Sequence, residues 1–137
     1  MESRAKSLAA FYGGPAWAAH KDQANATMVT FDDVLLLRPL SPLHLPGSRG
    51  GADSRIVVTL QSAAEPFTTF PEPDREALGT FTTLYEQNTF PALPIREGEH
   101  VVVWLTRFAT QSEADNYVAT SEHHHLVLAP TARSLLR

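Results

Sequence analysis

Three consecutive histidines, His123 to His125, are the first candidates for proton transfer or metal ligation in this chain. On an extended strand, side chains two apart share a face, so His123 and His125 could both reach one metal ion. A zinc site needs a third or fourth ligand, and the chain has no cysteine and no H-x-x-x-H spacing to supply one. The expectation is no metal site, with the histidines forming a polar lead-in to a final strand. His20 is a candidate base with Asp22 nearby, although residues two apart on a helix point in different directions. Tyr12 and Trp17 flank Gly13-Gly14-Pro15. They could line a ligand pocket, or they could be ordinary core aromatics.

The segment Asn88–Glu99 is the richest in mixed chemistry. Asn88, Thr89, Arg96, Glu97 and His100 surround Phe90, Leu93 and Ile95, and Pro91 and Pro94 restrict the backbone between them. Such a loop can hold polar groups in place for binding. The alternative is that Arg96 and Glu97 pair on the surface while Phe90 plugs the end of a barrel. No Ser-His-Asp order, phosphate-cradling glycine loop or paired-carboxylate motif accompanies these residues. The candidate ligand-binding residues are therefore Tyr12, Trp17, His20, Asn88, Arg96 and His100. None has an identifiable catalytic role, no cofactor is implied, and whether the protein is an enzyme stays open.

The elements that must position these residues follow from pattern. Ala5, Leu8, Ala9 and Tyr12 make an apolar stripe at i, i+3, i+4 and i+7, which predicts a helix over 2–12. Gly13 and Gly14 should end it through the left-handed conformation that glycine tolerates. Pro15 suits the first turn of a second helix running to about Met28, with Trp17, Ala24 and Met28 on one face. Val34–Leu37 reads as a short strand ended by Arg38-Pro39. Residues 41–54, rich in proline, glycine and serine, read as a linker.

Strand signals resume at 55–63. Three prolines in the segment that follows rule out a continuous helix and predict an irregular arm with one helical turn at 73–78. Residues 78–86 alternate as a strand does, and β-branched and aromatic residues crowd both faces of 100–108. Ser112 with Asp115 predicts a capping box opening a helix over 113–122. A last strand falls at 124–129, followed by a short tail that could turn helical. From residue 55 the order is β, arm, β, β, α, β, an α+β ferredoxin-like unit whose first crossover helix is replaced by the arm. Residues 1–40 contain only α and β elements matching the end of a second such unit.

The chain has 137 residues, of which 43% are apolar and 19% charged, the usage of an ordinary globular domain. Its formal charge of −4 comes without a basic stripe, which argues against nucleic acid as a partner. The lack of cysteine excludes a disulfide scaffold and a thiolate nucleophile. No apolar run approaches the roughly 20 residues of a membrane span. A soluble, cytoplasmic protein is expected.

FYGGPAWAAHKDQANATMV followed by DDVLLLRPL resembles the end of the first domain of bacterial NIPSNAP-family proteins, and NTFPALPIREGEHVVVWLTRF with LAPTARSLL resembles parts of their second domain. The resemblance implies a dimeric α/β-barrel architecture, in which ferredoxin-like units pair sheet to sheet. Members have two complete units, whereas this chain begins about where the second helix of the first unit would. A strand near Val34–Leu37 would then lack its neighbours and could pair with another chain or attach to the second unit. Self-association is expected. The resemblance further implies either a small apolar ligand in a barrel cavity, with monooxygenase-like chemistry that needs no cofactor, or a non-catalytic protein-interaction module. Fold likeness alone does not choose between them.

Overall fold

The computed structural model describes residues 1–30, 33–45, 47 and 50–135. The chain forms two compact units interleaved in sequence: Met1–Leu36 with Leu84–Gly98, and Leu37–Thr83 with Glu99–Arg137.

The first unit holds α1 (Glu2–Tyr12) and α2 (Pro15–Ala26). Pro15 occupies the first turn of α2, as its locked φ and missing N–H favour. Gly13 ends α1 with φ −86°, a right-handed conformation, so the expected left-handed cap is not what stops the helix. What the corner requires of the two glycines is space for a close backbone approach. A Cβ at Gly13 would lie 3.0 Å from the Ala9 carbonyl oxygen, and one at Gly14 would lie 2.8 Å from that of Ala10. Neither helix has a buried residue.

The second unit is a five-stranded antiparallel sheet with one helix. Its elements are β1 (Leu37–Pro39), β2 (Arg55–Ala63), β3 (Gly79–Thr83), β4 (His100–Phe108), α3 (Gln111–Thr120) and β5 (His124–Leu128). The sheet order is β1-β3-β4-β2-β5. Without β1, this is the ferredoxin-like arrangement. β2 and β3 run in the same direction with β4 between them, so the chain must cross over to connect them. Residues 64–78 make that crossover without helix or strand, and the helical turn expected at 73–78 is absent.

The strand expected at Val34–Leu37 forms later, at Leu37–Pro39, and pairs with β3 rather than standing alone. Pro39 cannot donate to a ladder, which confines it to an edge strand such as this one. β3 ends at Thr83, short of the expected Glu86, and the next amide, that of Leu84, donates to the Leu36 carbonyl at 2.8 Å.

Helix α3 begins at Gln111, two residues before the position expected. Its capping box is Thr110 with Glu113, not Ser112 with Asp115. Both pairs have the required spacing, but Glu113 can return its carboxylate to the Thr110 and Ala109 amides, which completes the reciprocal pair. The described tail, to residue 135, has turns and no helix.

The core on the α3 face of the sheet centres on Val57, Phe108 and Ala114, with Tyr117 and Val118 against it. The arm covers the same face: the Arg75 guanidinium lies 5.0 Å over the Phe108 ring, and that of Arg38 lies 5.9 Å over Phe70. On the opposite face, Leu43 packs at Gly79, where a Cβ would meet its Cδ1 at 3.1 Å. Toward β5 this second face is uncovered, leaving Leu126 57% and Leu128 47% exposed.

Candidate ligand-binding cleft

The first unit carries a cleft of about 450 Å³ lined by Tyr12, Trp17, Asn25, Met28, Thr30, Ala92 and Leu93. Tyr12 is the last residue of α1 and Trp17 lies in the first turn of α2, so the tight Gly13-Gly14 corner brings the two rings together. Their centroids are 5.0 Å apart and nearly perpendicular at 84°, an edge-to-face contact. Phe11 joins them at 5.2 Å from Tyr12 and 5.5 Å from Trp17, with 52% of its surface exposed. Trp17, Asn25 and Met28 lie on one face of the second helix and the turn after it, because steps of eight and eleven residues return to the same side of a 3.6-residue period.

The far wall comes from the loop at 88–93, and Asn88 organises it. Its Oδ1 accepts from the Phe90 amide at 3.0 Å and from Arg4 Nη1 at 3.0 Å. Its Nδ2 donates to the Leu93 carbonyl at 3.0 Å. These bonds hold Phe90 and Leu93 in place, and the Phe90 ring stacks on Tyr12 at 5.8 Å and 13°. Thr89 Oγ1 donates to the Met1 carbonyl at 3.0 Å, which fixes the same loop to the start of α1.

The six residues singled out from the sequence occupy different settings. Tyr12 and Trp17 line the cleft, and Asn88 shapes it through the loop. His20 is exposed on α2 and is not among the lining residues. Arg96 pairs with Asp33, Nη1 to Oδ1 at 3.4 Å, instead of with the adjacent Glu97, and its amide donates to the Val34 carbonyl at 2.8 Å. His100 opens β4 opposite Ala63 and belongs to the second unit. Sequence reading missed Asn25, Thr30 and Ala92. Asn25 was discoverable from its helical spacing to Trp17, whereas Thr30 and Ala92 carry no periodic signal.

The histidine run forms a separate cluster in the second unit. His123 lies 6.0 Å from the Trp104 ring, and Tyr117 meets His125 edge-on at 5.5 Å. Thr59 Oγ1 is 3.1 Å from His125 Nδ1. Desolvation holds the His125 pKa below its ordinary value, and the neighbouring His123 and His124 add to the effect. Among the described residues, no group of three or more His, Cys, Asp or Glu could hold a metal ion, and no helix is long and apolar enough to cross a membrane. No family model, curated protein or solved structure matches the chain.

Proposed function

We propose that this chain is a NIPSNAP-like protein that binds a small, flat, apolar molecule in the cleft between α1, α2 and the 88–93 loop. The supporting observation is that Tyr12 and Trp17, drawn from two helices, line one cleft of about 450 Å³ together with Met28 and Leu93. That is a suitable size and lining for a one- or two-ring ligand. The described lining residues offer a phenol, an amide and a hydroxyl, but no carboxylate, imidazole or amine. This chemistry favours binding over acid–base catalysis, so a monooxygenase-like activity is the less supported part of the reading.

A fluorescence titration with 1-naphthol tests the proposal. Saturable quenching in the micromolar range is expected, weakened about tenfold in Trp17→Ala, since a lost ring contact is worth about 1.4 kcal/mol. Equal binding by Trp17→Ala, or no saturable binding, overturns the assignment.

A second reading, a protein-interaction module that self-associates, is favoured by the exposed Leu126 and Leu128 on edge strand β5. A second copy is the partner we propose, acting in the cytoplasm. Light scattering at micromolar concentration should report a species larger than a monomer, and Leu126→Lys should reduce it to monomer. A monomeric parent protein sinks this reading.

A further inference from the structure

The cleft at Tyr12 and Trp17 has a neighbour. A second hollow of about 330 Å³ is lined by Asn25, Met28, Val29 and Thr30. Asn25, Met28 and Thr30 line both, so the two adjoin at the end of α2 and the turn after it. All of these residues belong to the first unit. The two hollows differ in character. The first presents the rings of Tyr12 and Trp17, whereas the second presents the Asn25 amide, the Thr30 hydroxyl and the Val29 side chain. Val29 is fully exposed and Met28 is 47% exposed, so open apolar surface lies beside the amide.

The helix sets the length of a ligand that fills both hollows. Trp17 and Asn25 both lie on α2 (Pro15–Ala26), and their separation in sequence corresponds to a rise of about 12 Å. A pair of fused rings against Trp17 is shorter than that span, so such a ligand carries an arm. Electrostatics then limits the chemistry of the arm. No charged side chain lines either hollow. The peptide dipoles of α2 leave a partial negative charge at this end, and no basic residue stands in the last turn to offset it. An anionic arm is therefore disfavoured. The Asn25 side chain has N–H donors and a carbonyl acceptor, the complement of another amide. The methylenes of the arm would cover Met28 and Val29.

We propose that the two hollows form one elongated site for an uncharged aryl amide, with its rings against Tyr12 and Trp17 and its amide at Asn25. This inference rests on the cleft reading under Proposed function and adds the class of ligand.

The test uses three naphthalenes whose arms have equal length and shape: naphthylbutanamide, naphthylbutanoate and the corresponding methyl ketone. Each is titrated into the full chain beside 1-naphthol, and arm contacts are read by NMR. The amide should bind about tenfold more tightly than the ketone, which lacks the donors, the equivalent of one well-made hydrogen bond. The carboxylate should bind several-fold more weakly than the amide. Asn25→Leu should bring the amide to the affinity of the ketone, a ratio from which any general change in the cleft cancels. In the parent protein, nuclear Overhauser contacts should join the arm of the amide to the Val29 methyl groups, a readout that needs no variant. Equal affinity of amide and ketone in the parent overturns the proposal, as does tighter binding of the carboxylate or an arm without contacts to Val29. Saturable 1-naphthol binding with no gain from the amide removes this inference and leaves the cleft reading standing. No binding by any of the four compounds removes both.

Discussion

The Phe90 ring lies parallel to that of Tyr12, tilted by 13° with centroids 5.8 Å apart, although the two residues are far apart in sequence. This stack joins the end of α1 to the 88–93 loop and so defines the wall of the cleft. Phe90→Ala should lower stability by about 1 kcal/mol, because the residue is only partly buried and its stacking is worth part of a fully buried aromatic. Urea denaturation measures this loss. The same variant should weaken 1-naphthol binding several-fold through loss of the support behind Tyr12.

Asn88 holds the loop by both ends of its amide. Asn88→Asp keeps the acceptor for Arg4 and the Phe90 amide but loses the donor to Leu93, whereas Asn88→Ala loses all three bonds. The alanine variant should be destabilised by about 1–2 kcal/mol, and the aspartate variant by less. Hydrogen exchange at the Phe90 amide should accelerate more in Asn88→Ala than in Asn88→Asp. The reverse order would show that Asn88 does not organise the loop.

At the start of α3 the two candidate caps give opposite expectations. Thr110→Ala removes the acceptor for the Glu113 amide and should cost about 1 kcal/mol. Ser112→Ala should be close to neutral, because that side chain is already inside the helix. Thermal unfolding of both variants separates the two positions.

His125 makes stability depend on pH in a definite direction. Its folded pKa lies below the unfolded value of 6.5, so over the interval between them the unfolded chain binds more protons. The stability associated with the neutral imidazole is therefore complete above about pH 6.5 and is lost as pH falls through the folded value. Denaturation midpoints at pH 7.5 and 5.5 should show the decline, and His125→Phe should show less of it. An unchanged slope in that variant would assign the effect to other groups.

The sequence by itself determined the local elements wherever a periodic pattern was strong. The stripe from Ala5 to Tyr12 specified α1, and the β-branched and aromatic run from His100 to Phe108 specified β4 to the residue. The ferredoxin-like order was also legible, because it depends only on the succession of such patterns. Tyr12 and Trp17 stood out as candidates through residue type and their place beside a helix break. Tertiary structure alone decided the rest. That Leu37–Pro39 pairs with β3 depends on a partner more than forty residues away, for which three residues carry no register signal. The choice of Thr110 over Ser112 turned on which carboxylate could reach back to its own cap. The placement of Phe90 on Tyr12, and of Trp104 and His125 on either side of Thr59, came from long-range packing. Local patterns can specify which faces are apolar, but not which faces meet.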